Sequence, residues 1–583
     1  MKRFKKIIIL YFIFSALLFS QQKKITIPLS FDYYYTYDML VQAIKALNAA
    51  YPKLTELNYI GKSDEGRDIW GITINNPKTG KDIDKPGIYV DGNIHGNEIQ
   101  ASEVCLYLAQ YLLENYDKNQ EIKDLVDKKC FYIIPSINVD GRFHFFNDPN
   151  NSSSNRSLRI PKDDDNDGLI DEDYPDDLDG DGNICLMRKK DPFGKMKTLP
   201  DEPRLMVSIK TGEKGEWTLL GTEGIDNDED GKYNEDSEGY VDGNRNWGYN
   251  WKPNYIQSGA GDYPFESKTT TAVAEFISKK TNICVVWAFH NNGGMYLRGP
   301  SSKEQGEYPA DDITVYNYLG EQAERITPGY RYMISWKDLY TTYGDFLEWM
   351  CMTYGAYGFV GELFITESES FKSIKESKKS PESAQQDSDS RTSLQRERLK
   401  FNDHLAQGEL FKDWKPFKHP VYGDIEIGGW VKMSSRLPAP FMLKDLVHRN
   451  ASSVIFSAKN TPEVELEVFD VQSISKDLYR VRVRLINSKA IPTMSKYAIL
   501  KKLYPMDMLS IKGEKIKVIA GGKIQNLFNN EVTYKEYKPE IQFTYVPGFS
   551  KAEHEFIVSG KGKIVITYNS RWAGKIEKEF ELK

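Results

Sequence analysis

The sequence predicts an α/β domain, with a mixed central sheet flanked by helices, followed by an all-β sandwich. Two patterns carry the α/β part. Apolar runs such as "GIYV", "CFYIIPSI", "NICVVWAF" and "GFVGELF" lack the alternation of a half-exposed strand and read as strands covered on both faces. Between them lie segments with apolar residues three and four apart, the spacing of amphipathic helices, so that strands and helices alternate. A third pattern begins after about Arg449, where "EVELEVFDV", "YRVRVRLI", "KIKVIAG", "EIQFTYV", "HEFIVSG" and "GKIVITY" alternate apolar and polar residues between turns, as β-sandwich strands do.

Taken in order, the chain opens with "MKRFKKIIILYFIFSALLFSQQKK". The apolar run is short for a membrane span, which needs roughly 20 residues. Its basic flank and polar junction read as a cleaved signal peptide over residues 1–20, with an uncleaved anchor as the alternative. The expectation is a secreted or periplasmic protein with no transmembrane span in the mature chain. "DMLVQAIKALNAAY" from Asp38 to Tyr51 predicts a helix, "ELNYIGKSDEGRDIWGITI" two strands around a turn, and Ala101–Tyr116 a second helix. Two acidic, Gly-rich stretches, Asp163–Gly182 and Asp226–Asp242, mark an insertion over about 146–243; the polar, low-complexity stretch 368–398 reads as a flexible loop. The α/β domain is thus expected over 32–448 and the sandwich over 449–583.

Composition excludes some functions. The net charge is -7, and no Lys/Arg-rich block follows the first six residues, so nucleic acid is not an expected partner. The five cysteines are dispersed and never form a Cys-x-x-Cys pair. They read as small buried thiols with at most one or two bridges.

Chemistry first shows in "YVDGNIHGNEIQASEV", where His95 and Glu98 follow a buried strand as a helix begins. Such a junction lies at the carboxyl edge of a sheet, where α/β proteins place ligands. A catalytic zinc needs one further protein ligand and an open position. His290 fits, because it ends "CVVWAF" and precedes the turn "NNGG". A carboxylate on a neighbouring buried strand would serve as base, and Glu362 in "GFVGELF" fits that role.

The order His95-x-x-Glu98, "DGNRNW", His290, "YTTYGDFLEW", "GELF" resembles the zinc metallocarboxypeptidases, the relatives of carboxypeptidases A, B and T, over roughly Asp32–Val447. The resemblance implies a zinc carboxypeptidase-like fold with His95, Glu98 and His290 as zinc ligands, Glu362 as general base, and peptide or protein C-termini as substrate. It implies that Asn244 and Arg245 grip the terminal carboxylate, that Tyr340 closes over it, and that Arg188 in "LMRKKDP" stabilises the oxyanion, with Arg142, Arg156 and Arg159 as competitors for that last role. Leu347 falls at the position that sets side-chain preference, which favours apolar C-terminal residues. Asn97 stands where the digestive enzymes have arginine, and no long propeptide follows the signal.

The pattern Asp-x-Asp-x-Asp-Gly occurs three times, at Asp163, Asp165 and Asp167, at Asp177, Asp179 and Asp181, and at Asp226, Asp228 and Asp230. Alternate carboxylates before a turn glycine are how calcium loops begin. The twelfth positions are Tyr174, Arg188 and Ser237, so these are not EF-hands; they are expected to bind calcium and stiffen the insertion. Two other functions fit the same residues: a cell-wall peptide amidase on this scaffold, or a non-catalytic calcium-stabilised binding protein. The sandwich is a candidate surface for an unidentified partner.

Overall fold

A computed structural model describes residues 25–163, 168–171, 173–229, 231–234, 236, 239–365 and 388–582. The segment expected to be a signal peptide (1–20), Asp165, Asp167, Asp230 and most of the polar stretch lie outside them. Helix α1 (Tyr37–Ala50) is capped by the Thr36 side chain and followed by strands β1 (Thr55–Lys62), β2 (Asp68–Ile74) and β3 (Gly87–Gly92). Helices α2 (Gln100–Asn115) and α3 (Gln120–Lys128), strand β4 (Cys130–Ile134) and helix α4 (Val139–Asn147) complete the first part. The insertion supplies β5 (Leu186–Lys190), β6 (Met196–Leu199), β7 (Glu202–Ser208) and β8 (Trp217–Thr222). After it come α5 (Lys268–Ser278), β9 (Ile283–Asn291), β10 (Met295–Arg298), α6 (Ala310–Ile326), β11 (Arg331–Ile334), α7 (Phe346–Tyr354) and β12 (Tyr357–Leu363).

The central sheet has eight strands in the order β1-β2-β4-β3-β9-β12-β10-β11. Its middle, β4-β3-β9-β12, is parallel and buried, as the continuous apolar runs require. Antiparallel pairings at β1-β2, β2-β4 and β10-β12 make the sheet mixed. Tyr89 pairs in register with Val286, and Val90 with Trp287, so the two rows face opposite sides. Tyr89 packs on Phe346 of α7. Trp287 donates from Nε1 to Ser457 on a helix at 443–459. Helices therefore cover both faces.

Four elements depart from or add to the expectation. The last part of the polar stretch is helical, α8 (Ser388–His404), because Leu399 and Phe401 give it an apolar footing. Strands β13 (Phe411–His419) and β14 (Gly423–Trp430) follow, and β14 pairs with β5, so the insertion belongs to a second sheet, ordered β13-β14-β5-β8-β6-β7. Helix α9 (Leu443–Lys459) crosses the expected boundary at 449: Val447, Ala451, Val454 and Ala458 join the core of the α/β domain, and the sandwich starts only at Val464.

Nine antiparallel strands form the sandwich, five in one sheet and four in the other. Val481, Val483 and Phe556 of one sheet meet Leu509, Ile566 and Tyr568 of the other in a shared core. The neck of the insertion is closed by a bridge between Leu158 and Val241. All five cysteines are buried and unbridged. Among the described residues no helix is long and apolar enough to cross a membrane.

Candidate metal centre and substrate cleft

The carboxyl edge of the parallel strands carries the site. After β3, Asn93 takes a left-handed conformation, and its amide donates to the His95 and Gly96 carbonyls at 2.7 and 3.0 Å, fixing the tight turn that presents His95. Gly96 lies against the backbone of Asn155 and Gly141, where a side chain has no room. His290 ends β9, and Glu362 on β12 is its paired neighbour in register, so two adjacent strands place the imidazole and the carboxylate side by side.

His95, Glu98 and His290 are all buried, and their donor atoms converge. The two Nδ1 atoms lie 3.2 Å apart, His95 Nδ1 is 3.0 Å from a Glu98 oxygen, and His290 Nδ1 is 3.1 Å from the other. Zinc bonds of about 2.0–2.1 Å in a tetrahedron put ligand atoms roughly 3.3 Å apart, so this donor set fits zinc in identity and spacing. The face of His95 away from that centre carries Nε2, which lies 3.0 Å from Asp242. Such a carboxylate fixes the tautomer that turns Nδ1 to a metal.

Electrostatics divide the carboxylates into two kinds. Burial pushes Glu98 and Asp242 up, but neighbouring charge outweighs it and holds both well below the usual range: His95 and His290 act on Glu98, and His95, Arg245 and Arg156 on Asp242. Glu362 goes the other way. Burial, reinforced by the Glu98 charge and only partly opposed by His290, Arg156 and Arg436, pushes it up to about 7.

A cavity of about 310 Å³ opens over these groups. It is lined by His95, Glu98, His290 and Glu362, and by Asn244, Arg245, Tyr340 and Leu347, so one cleft gathers these eight expected residues. Asn244 accepts from the Phe346 amide, which joins the segment bearing Asn244 and Arg245 to the start of α7. Tyr340 follows a single π-turn and is 52% exposed at the cleft. Leu347 is buried, with Met295, Leu297 and Val360 on the same lining. Asp345 lines it too, but its oxygens accept from the Glu348 amide and the Thr342 hydroxyl.

Arg188 corrects the expectation. It lies on β5, away from the cleft, hydrogen-bonded to Glu426 at 2.6 and 2.8 Å and held between Trp217 and Trp414. The arginine beside the metal ligands is Arg156, whose guanidinium lies 3.2 Å from Glu98 and 3.4 Å from Asp242, with its carbonyl accepting from the Gly96 amide. Of the other competitors, Arg142 is buried against Glu103 and Arg159 pairs with Glu65. Asn97 is buried and turned into the protein, where it donates to the Ser152 carbonyl at 3.0 Å, so it does not line the cleft. Asp242 and Arg436 were not foreseen. Asp242 opens the same "DGNRNW" that holds Asn244, a signal in plain view, whereas Arg436 in "SSRLPAP" carries no local signal.

Two of the acidic repeats each bring a pair of their own carboxylates together with one from outside the repeats. Among the described residues, Asp177 and Asp179 cluster with Glu223, and Asp226 and Asp228 with Asp173, each set with donor oxygens within 4.8 Å. Asp181 pairs with Lys412, and Asp163 accepts from the Gly168 amide. A larger cavity, about 610 Å³, lies between the insertion sheet and α8 and shares no lining residue with the cleft over the metal centre.

Two histidines and a glutamate around one point, with a raised carboxylate beside them, define the equipment of a mononuclear metallohydrolase. The chain belongs to the zinc carboxypeptidase family, whose model matches residues 40–174 and 222–382, just over half of it. Residues 463–581 match a domain of unknown function. Human carboxypeptidase D is 38% identical over 109 residues, 19% of this chain and 8% of that protein. A zinc carboxypeptidase of Saccharothrix mutabilis subsp. capreolus is 31% identical over 115 residues, 20% of this chain and 26% of that one. The chain thus spans only a small part of these relatives. The structure of carboxypeptidase A from Helicoverpa armigera aligns with a TM-score of 0.40 and 19% identity, covering 59% of this chain and 68% of that one.

Proposed function

We propose that the protein is a zinc-dependent carboxypeptidase that removes the C-terminal residue of peptides or proteins. The observation that carries this is the pairing of Glu362 with His290 in register, beside a converging His-Glu-His set and within one cleft with Asn244 and Arg245. Zinc held by His95, Glu98 and His290 would supply Lewis acidity, polarising a carbonyl and acidifying water. The terminal carboxylate of the substrate sits on Asn244 and the planar fork of Arg245, and Tyr340 closes over it. Glu362 takes a proton from the attacking water and delivers it to the leaving amine. Arg156 faces the oxygen on which negative charge develops.

Leu347, Met295, Leu297 and Val360 support a preference for apolar C-terminal side chains. The two acidic clusters of the insertion support calcium binding there, each on two carboxylates of one repeat and one from outside the repeats, in a role that stiffens the insertion. The basic and apolar N-terminal sequence supports secretion or a periplasmic location.

The test is an end-group assay on zinc-loaded protein with a peptide bearing a free C-terminus, its C-terminal amide, and a muropeptide. Release of the terminal residue from the free acid alone is expected, and loss of that release on chelation. Equal cleavage of acid and amide would overturn the proposal, and cleavage of the muropeptide alone would reassign the enzyme to cell-wall peptides.

A further inference from the structure

Three arginines line the cleft, Arg156, Arg245 and Arg436, and two of them are committed. Arg156 is ion-paired to Glu98 and Asp242. Arg245 donates to the Asn244 carbonyl, and its charge acts on Asp242. Arg436 differs: among the described residues its guanidinium has no hydrogen-bonding or ion-pairing partner, while its backbone is firmly held. The Gln100 and Asn291 side-chain amides both donate to the Arg436 carbonyl at 3.1 Å. On one side the Ser434 carbonyl accepts from Arg398 of α8; on the other Leu437 is buried, and the Pro438 carbonyl accepts from the Tyr34 hydroxyl. A fixed loop therefore presents an uncommitted cation to the cleft.

Its place relative to the reacting groups decides what it meets. The carboxylate-gripping pair is tied to the α7 side, through Asn244 to the Phe346 amide and through Trp247 to the Gly344 carbonyl. Arg436 is tied instead through its carbonyl to Asn291, the residue after His290 at the end of β9, and it lines the cleft together with Glu362. A peptide whose terminal carboxylate is on Arg245 and whose scissile carbonyl is at Glu362 directs its upstream side toward Arg436. We infer that Arg436 is a specificity-determining residue that selects a carboxylate side chain on the penultimate residue of the substrate, the one that contributes the scissile carbonyl. The inference rests on the carboxypeptidase reading and adds the substrate's second recognition element. A partly buried cation facing a carboxylate gains from reduced screening and from charge-assisted hydrogen bonds.

The test uses N-blocked peptides that all end in leucine and carry glutamate, alanine or lysine at the penultimate position, with kcat/KM measured on zinc-loaded protein. The glutamate peptide is expected to exceed the alanine peptide by about tenfold, the gain of one charge-assisted contact. In Arg436→Ala that ratio should fall to about one; any general loss of activity cancels from it. Arg436→Glu should reverse the order in favour of lysine, which a merely structural role would not produce. A ratio near one in the unaltered protein, or a ratio unchanged in Arg436→Ala, would overturn the inference. If no peptide loses its terminal leucine, the carboxypeptidase reading falls. Arg436 is then read from the affinities of the same peptides for zinc-loaded Glu362→Gln protein, by fluorescence anisotropy: a glutamate preference that disappears on adding Arg436→Ala supports the inference, and no preference overturns it.

Discussion

At the scale of single residues, the site depends on two carboxylates pushed in opposite directions. Glu362 is raised to about 7 by burial and by Glu98. Protonated, it cannot accept a proton, so kcat/KM should fall as pH drops through its pKa. A bound dication favours the ionised form, which places this acid limb at or below about 7. Glu362→Gln should lower kcat by about 10²–10⁴, with zinc content by elemental analysis unchanged; full activity in the variant would remove Glu362 from its role. Asp242, held ionised, orients His95. Asp242→Asn is expected to weaken zinc binding by about 10–100-fold, read by competition with a chromogenic chelator. An unchanged affinity would make Asp242 incidental to the metal centre.

These residues also show what a chain reveals before it folds. His290 and Glu362 were legible because each stands at the end of a buried apolar run, and His95 and Glu98 because they follow another such run as a helix begins; strand ends in a parallel sheet share one edge. Arg188 misled because it follows an acidic stretch of a length no local pattern constrains, and its "LMRKK" was a strand of another sheet. Arg436 was illegible for a different reason: its position is set by long-range contacts from Gln100 and Asn291, which leave no trace in its own neighbours.

Among the elements, the insertion sheet is where a misreading becomes informative. Arg188 and Glu426 join β5 to β14, with the guanidinium between two tryptophans. A buried guanidinium stripped of its carboxylate is costly, and Glu426 is partly exposed, so Glu426→Ala should destabilise this sheet by about 2 kcal/mol. Hydrogen exchange at β5, β8 and β14 should accelerate while exchange at β3 and β9 does not. Uniform acceleration across both sheets would refute local action. Helix α8 teaches a related lesson: polar composition predicted a flexible loop up to residue 398, but the last part of that stretch, from Ser388, is helical and is anchored by Leu399 and Phe401 just beyond it.

For the whole molecule, the question is whether the sandwich is a passenger. Asp312 on α6 accepts from the Lys496 and Tyr497 amides of the sandwich at 2.8 and 2.7 Å and from the Tyr357 hydroxyl of β12. Ile491 and Trp572, both buried, belong to the core of the α/β domain. An interface with buried apolar groups and backbone amides satisfied across it couples the two parts. Scanning calorimetry should therefore show one cooperative transition, and Asp312→Ala should lower Tm or split that transition. Two separate transitions in the unaltered protein would mean that the sandwich folds alone.

The pairing of β5 with β14 also has a consequence for how the chain is made. Arg188 and its partner Glu426 are 238 residues apart, and the whole run from β9 to β12 is synthesised between them. At roughly 5–20 residues per second, the ribosome leaves the open edge of β5 unpaired for about 12–48 s. An open strand edge is a template for pairing with the wrong chain. The nascent protein thus passes through an interval in which strands β3, β9 and β12 are complete while its second sheet awaits closure.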